Sequence, residues 1–296
     1  MFPAQAPDGI QIAYETFGKP GDPPILLVAG LGGQLLTWRE GFCTELVDRG
    51  HFVVRYDNRD IGLSTHLDGA PRPDVPALLA GDRSSAAYDL SDMADDAARL
   101  LDHLGLAAAH VVGASLGGMI AQTLTIDHPE RVLSLTSIMS TTGDPAVGRS
   151  SEVAMAVLLA PPARSREEAL ERSVASSRVL GSPSHPADPD EVRQHAAEAW
   201  DRDHDPAGVG RQFAAAHASG DRTARLAEVA VPTLVLHGAD DPLIDVSGGR
   251  ATAAAVPAAE LVVLEGMGHD LPAALWPEVA DAIAALVRRA EAARAS

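Results

Sequence analysis

Gly113-Ala114-Ser115-Leu116-Gly117-Gly118 sets a serine between glycines two residues to either side, after a short apolar run and ahead of a helical pattern. A strand that turns sharply into a helix with serine at its apex lifts the hydroxyl clear of its neighbours. The glycines remove side chains that would clash where strand and helix approach. The amide of Leu116 then lies at a helix N-terminus, where partial positive charge favours a developing anion. Such a serine attacks carbonyl carbon, and a hydroxyl is too weak an acid to do so without a base in hydrogen-bond reach.

His269 is the histidine best suited to that task among eleven. It ends Gly266-Met267-Gly268-His269, directly after a strand-like run, on a loop that can carry an imidazole over the strand ends. His103, His110 and His128 sit at a helix end, a strand start and a proline loop, and read as structural or exposed. His185, His195, His204 and His217 fall in a helical stretch and read as surface. The acid that orients the base is expected at another strand end, between serine and histidine in chain order. His237-Gly238-Ala239-Asp240-Asp241-Pro242 offers two carboxylates there. Asp241 is favoured, because Pro242, Leu243 and Ile244 anchor the chain after it, and Asp240 reads as a solvated loop charge.

The elements needed to converge these residues are legible in outline. Residues 10–17 alternate apolar and polar as an edge strand would, whereas 25–29, 52–56, 110–112, 131–139, 233–236 and 261–264 are short apolar runs. Continuous runs of that kind suit strands buried on both faces. Helical spacing covers 35–48, then 91–104 with Ser91 as its cap, 116–127, a short stretch up to 255, and 277–294. Prolines at 71, 73 and 76 mark a loop. Strand–helix alternation at this spacing predicts a mostly parallel sheet with helices on both faces. From 141 to 222 the rhythm changes to helices alone, near 152–159, 166–179, 190–201 and 208–219. Residues 1–140 and 223–296 are therefore expected to form an α/β core, and 141–222 a helical cap inserted into it.

Bulk properties narrow the partners. The chain has 296 residues, 46% hydrophobic and 22% charged, enough for one large core. Its net charge is −18 and Lys19 is its only lysine, which disfavours nucleic acid and anionic membranes. Cys43 is the only cysteine, so no intrachain disulfide or thiolate metal site can form. The first residues lack a basic segment followed by an apolar run, and no stretch reaches the ~20 apolar residues of a membrane span. A cytoplasmic monomer or homodimer acting on a small molecule is expected.

With these residues assembled, the chain resembles the α/β-hydrolase superfamily over nearly its whole length. The serine turn, the HGADDP loop and the GMGH loop carry the resemblance, together with Asp8-Gly9-Ile10-Gln11-Ile12-Ala13-Tyr14, residues 27–33 with Trp38, and Arg55-Tyr56-Asp57-Asn58-Arg59-Asp60-Ile61-Gly62-Leu63-Ser64. These details are most similar to the branch that contains aclacinomycin methylesterase. The resemblance implies an α/β-hydrolase fold, a Ser115–His269–Asp241 triad, no cofactor and no metal. It also implies a second oxyanion donor at the backbone N–H of Leu31. Many members carry His-Gly ahead of that donor, whereas this chain has Ala29-Gly30, so the loop's support should differ. Gly30 and Trp38 are candidate pocket residues, with core packing the alternative for Trp38. Asp57, Arg59 and Ser64 read as a structural turn.

The implied reaction is hydrolysis of an uncharged, moderately hydrophobic ester, a methyl ester being one form. Superfamily membership constrains the site more than the reaction. Ser115 disfavours the dehalogenases and epoxide hydrolases of this fold, which use aspartate, and the His-Gly-Gly-Pro-Gly loop of proline iminopeptidases is absent. Carbon–carbon bond hydrolases and cofactor-free perhydrolases share the triad and stay open. So does a ligand-binding receptor on the same scaffold.

Overall fold

The computed structural model describes residues 4–5 and 9–295. Asp8, the first residue of the DGIQIAY stretch, and the initial residues read for a signal segment lie outside the described residues, residues 4–5 excepted. The elements are β1 (Ala4–Gln5), β2 (Gln11–Ile12), β3 (Tyr14–Phe17), β4 (Pro24–Val28), α1 (Glu40–Asp48), β5 (Phe52–Tyr56), α2 (Val75–Leu79) and α3 (Leu90–His103). They continue with β6 (Ala109–Ala114), α4 (Leu116–Asp127), β7 (Val132–Ile138), α5 (Glu152–Leu158), α6 (Arg166–Leu180), α7 (Pro189–Arg202) and α8 (Pro206–Ser219). The chain closes with α9 (Thr223–Leu226), β8 (Thr233–Gly238), α10 (Ser247–Ala255), β9 (Glu260–Leu264) and α11 (Trp276–Arg294).

Seven strands form one sheet in the order β3-β5-β4-β6-β7-β8-β9. All neighbours are parallel except β3, which runs antiparallel to β5. Alternation along each strand divides the core. Leu26 and Val28 of β4 join Val54 of β5, Leu100 of α3 and Ile120 of α4 on one face. Ile25 and Leu27 join Val53, Phe42 of α1 and Ile283 of α11 on the other. Successive side chains of a strand point to opposite faces, so a strand covered on both sides is apolar at most positions. That is why the runs in the sequence do not alternate.

Several local expectations differ from the structure. Asp89, not Ser91, caps α3, because it forms a reciprocal box with Asp92. Ser91 instead donates its hydroxyl to Asp127 at 2.8 Å. The helix expected over 35–48 is a short 3-10 turn (Leu35–Thr37) followed by α1. Asp57 accepts from Leu35 N–H at the start of the turn, and Arg55 donates to the Trp38 carbonyl at its end. Within the proline loop, Asp74 caps the short helix α2 by accepting from Ala77 N–H.

Between β7 and α9 the described chain forms four helices, α5–α8, and no strand. α6 packs against α7 and α5, and α8 against α2 and α3. Leu159, just after α5, stays 42% exposed.

Candidate active site

Ser115 follows the last residue of β6 and caps α4 with φ 57° and ψ −121°, a region that residues with a Cβ rarely enter. The conformation persists because its surroundings leave no alternative. A Cβ on Gly113 would run into the carbonyl of Gly117, and one on Gly117 into the carbonyl of Val28. Strand and helix thus pack backbone to backbone on either side of a half-buried serine.

His269 bridges Ser115 and Asp241. Its Nε2 lies 3.0 Å from Ser115 Oγ and its Nδ1 2.7 Å from Asp241 Oδ2. The carboxylate can only accept when ionised, so Nδ1 carries the hydrogen and Nε2 is left to accept from the serine hydroxyl. Asp241 is held in turn: its Oδ1 accepts from Leu243 N–H and Ile244 N–H, each at 2.9 Å. Asp240 is exposed but not merely solvated. Its Oδ2 accepts from Gly266 N–H at 3.0 Å and ties the loop of Asp241 to the loop of His269.

His237 escaped sequence reading, since nothing in its local pattern distinguishes it. It is fully buried beneath the acid, donating Nε2–H to the Ile244 carbonyl at 2.8 Å, with Asp241 Oδ2 3.6 Å away. Burial lowers its pKa, the bond to Ile244 pulling the other way, so the ring is held neutral beside the carboxylate.

The loop that carries His269 leans on the helical segment. His269 N–H donates to the Leu180 carbonyl, Gly268 N–H to Ser182 Oγ at 3.0 Å, and Ser184 N–H to the Gly266 carbonyl at 3.2 Å. Ser182 passes its own hydroxyl hydrogen to Asp270. Burial holds the Asp270 carboxyl above its ordinary value, and the Ser182 bond opposes that rise.

Leu31 and Leu116 sit on either side of the serine. Among the described residues neither backbone N–H is paired with an acceptor. A Cβ on Gly30 would lie 3.2 Å from Ser115 Cβ, so the Gly30–Leu31 loop rests directly on the serine. Its supports are amide side chains. Asn58 donates to the Ala29 carbonyl at 3.0 Å, and Gln212 of α8 accepts from Gly32 N–H at 3.0 Å. Trp38, a candidate pocket wall, lies instead in the core, 3% exposed and stacked on Phe42 at 5.5 Å. The indole packs on the α1 and α11 side of the sheet.

Asp57, Arg59 and Ser64 form a buried turn. Asp57 accepts from Leu35 and Leu63 N–H and pairs with Arg202, Arg59 pairs with Asp96, and Ser64 donates to the Asp57 carbonyl. Asp60, His66 and Asp205 are close enough to share a cation, but Arg211 already forms ion pairs with both carboxylates. A shallow cavity of about 260 Å³ lies at the N-terminal ends of β4, β6 and β7, between Asp22, Ala107, Leu133 and Arg294, and contains none of the three central residues.

A serine on a strained strand–helix turn, a histidine after the last strand and an acid after the preceding one define a chain order as well as a geometry. The profile of the α/β hydrolase fold matches residues 23–272. The chain belongs to the α/β-hydrolase family. Within it, a rhodomycin D methylesterase of Streptomyces peucetius is 34% identical, covering 96% of this chain and 97% of its own. A hydrolase from Pseudomonas aeruginosa superposes with a TM-score of 0.72 at 27% identity, covering 98% of this chain and 97% of that one. A thermophilic esterase from Thermogutta terrifontis gives 0.67 at 25%, with 98% and 97% covered. Among the described residues of this α/β-hydrolase no helix is long and apolar enough to cross a membrane.

Proposed function

We propose that this chain is a serine carboxylic ester hydrolase in which Ser115 is the nucleophile, His269 the base and Asp241 the orienting acid. The observation that carries the reading is the continuous Ser115–His269–Asp241 hydrogen-bond chain, with contacts of 3.0 and 2.7 Å drawn from three separate loops. The methylesterase relative supports ester rather than amide or halide chemistry.

Ser115 Oγ attacks the ester carbonyl carbon as His269 Nε2 takes its proton. The N–H groups of Leu31 and Leu116 hold the oxyanion, and Asp241 stabilises the imidazolium. Collapse breaks the C–O bond, and the imidazolium gives its proton to the departing alcohol. Water then attacks the acyl-enzyme with its proton passing to the same nitrogen, and the acid leaves with Ser115 restored. The first proton moves between two side chains already in contact, Ser115 Oγ and His269 Nε2 at 3.0 Å.

Residues 141–222 form the cap of this site and 1–140 with 223–296 its core. The cap's contacts with the Gly266–Asp270 and Gly30–Gly33 loops support that division. Substrates are uncharged esters of moderate size, methyl esters included. The acidic surface of net charge −18 repels polyanions.

The test is a panel of methyl esters, aryl esters, lactones and a vinylogous diketone, assayed beside Ser115→Ala. Ester turnover that falls about 10⁶-fold in the variant, the scale of other serine triads, is expected. A fluorophosphonate should label Ser115 alone. Label on another serine, or diketone cleavage without ester turnover, would overturn the assignment.

A further inference from the structure

The Gly30–Leu31–Gly32 segment has an unusual dependence on a residue far from it in sequence. Ala29 brings the loop no polar side chain, and the turn closes on itself through Gly33 N–H to the Gly30 carbonyl at 3.0 Å. Two side-chain amides hold it to the protein. Asn58, beside β5, anchors the entering strand end at the Ala29 carbonyl. Gln212, on α8 of the helical segment, anchors the exit at Gly32.

Gln212 is fully buried, and both ends of its amide are engaged. Oε1 accepts from Gly32 N–H at 3.0 Å while Nε2 donates to the Arg59 carbonyl at 2.9 Å. The chemistry of the partners dictates this orientation: a backbone N–H needs the amide oxygen and a carbonyl needs the amide nitrogen. A flipped side chain would oppose donor to donor and acceptor to acceptor. Gly32 has φ +66°, and Val209, one turn earlier on α8, packs against it, so α8 holds this peptide from two points. The helix cannot drift, because Arg211 bonds both oxygens of buried Asp60 at 2.9 and 2.6 Å.

We propose that Gln212 is a positioning residue for the oxyanion loop: by fixing the Gly32 peptide it sets the direction of the adjacent Leu31 N–H. The assignment rests on the serine hydrolase reading above. It makes the helical segment part of the machinery that stabilises the transition state, in addition to covering the site. Deleting an oxyanion donor outright costs 10²–10³-fold in kcat in other enzymes, so releasing one while leaving it present should cost about 10–100-fold. A group that acts only as negative charge develops on the carbonyl oxygen lowers kcat and spares KM.

Gln212→Met keeps the volume and removes both bonds. Gln212→Glu keeps an acceptor for Gly32 and loses the donor to Arg59. The full chain would be assayed with p-nitrophenyl butyrate and with a boronic acid that forms a tetrahedral adduct on serine. Gln212→Met is expected to lower kcat about 10–100-fold, to move KM less than about threefold and to weaken the boronate in parallel with kcat. Gln212→Glu should recover part of the loss. The acid limb of the pH–kcat/KM profile should not move, since the imidazole is untouched. Unchanged kcat in folded Gln212→Met, or a rise in KM with kcat and boronate affinity intact, would overturn the proposal. If Gln212→Met does not fold, Gln212→Asn decides, since it keeps a polar amide but is one carbon too short to hold Gly32: boronate affinity and kcat equal to those of the parent refute the proposal. Failure of the underlying reading is separate, since it shows as ester turnover that survives Ser115→Ala.

Discussion

The backbone amide of His269 donates to the carbonyl of Leu180 at 2.6 Å, so the histidine that faces Ser115 hangs from the last turn of a helix outside the core sheet. Gly268 and Asp270, its neighbours, both bond Ser182. His269 is therefore not simply the end of a flexible glycine loop. Its backbone is held between β9 and the end of α6, and the imidazole keeps its orientation through that clamp as well as through Asp241.

Ser182→Ala removes the hydroxyl that joins Gly268 N–H to the Asp270 carboxyl. A lost buried hydrogen bond costs about 1–3 kcal/mol, and part of that cost should appear as disorder of the base. A fall in kcat of about tenfold is expected, with KM for p-nitrophenyl butyrate nearly unchanged. Ser182→Thr retains the hydroxyl and should retain most activity. Equal kcat in Ser182→Ala and the parent would show that the clamp is not needed.

Asp241→Asn should lower kcat by about 10⁴, because an amide toward Nδ1 favours the imidazole tautomer that cannot accept from serine. The substitution also offends the two N–H groups at Oδ1, so some loss of thermal stability should accompany it. Asp240→Asn keeps an oxygen for Gly266 N–H and should cost little in either measurement. Reversed effects on kcat would transfer the role to Asp240.

Gly113→Ala tests the backbone contact under the elbow. The added methyl meets the Gly117 carbonyl, which belongs to α4 and has no room to withdraw. Overpacking costs of about 1–3 kcal/mol are typical, and a collision with backbone belongs at or beyond the upper end. Lower Tm and lost phosphonate labelling are expected together. A variant with parental Tm would show that strand and helix can separate here at no cost.

Acid stability follows from buried His110. Burial pulls its pKa from 6.5 down to about 4, with Glu291 acting in the opposite direction. Above pH 6.5 the ring is neutral folded and unfolded, and it adds nothing to the pH slope. Below that, the unfolded chain takes up a proton that the folded chain refuses, so stability falls between pH 6.5 and about 4, by about 3 kcal/mol in total. Buried His51 and His237 are shifted the same way, also chiefly by burial. His110→Gln should flatten the decline of Tm across this window. A parallel decline in both proteins would assign the acid sensitivity elsewhere.

What was legible in the sequence was whatever local backbone physics enforces. A strand buried on both faces is apolar at most positions, so β4, β5, β6 and β8 stood out despite Arg55, His110 and His237. A serine at φ 57° between strand and helix requires glycines at fixed offsets, so the position of Ser115 was readable from five residues. Loops after the last two strands follow from element order alone, and they brought His269 and Asp241 forward. Ser91 lost the cap of α3 to Asp89 for an equally local reason, since two aspartates three apart satisfy each other.

Only the tertiary structure decided the rest, because it depends on partners with no fixed spacing along the chain. Asp240 and Asp241 are chemically identical neighbours that the sequence separated only through the Pro242-Leu243-Ile244 anchor; in the fold one side chain turns toward Nδ1 of His269 and the other toward Gly266 N–H. Trp38 went to the core, stacked on Phe42, with its carbonyl held by Arg55 from the neighbouring strand. Gln212 and Ser182 lie on ordinary helical stretches and near a helix end, and nothing in their neighbours' identities marks them. They matter because packing brings a side-chain amide to Gly32 across 180 residues and a hydroxyl to Gly268 across 86. A local pattern can demand a turn; it takes the folded chain to say which distant side chain holds that turn still.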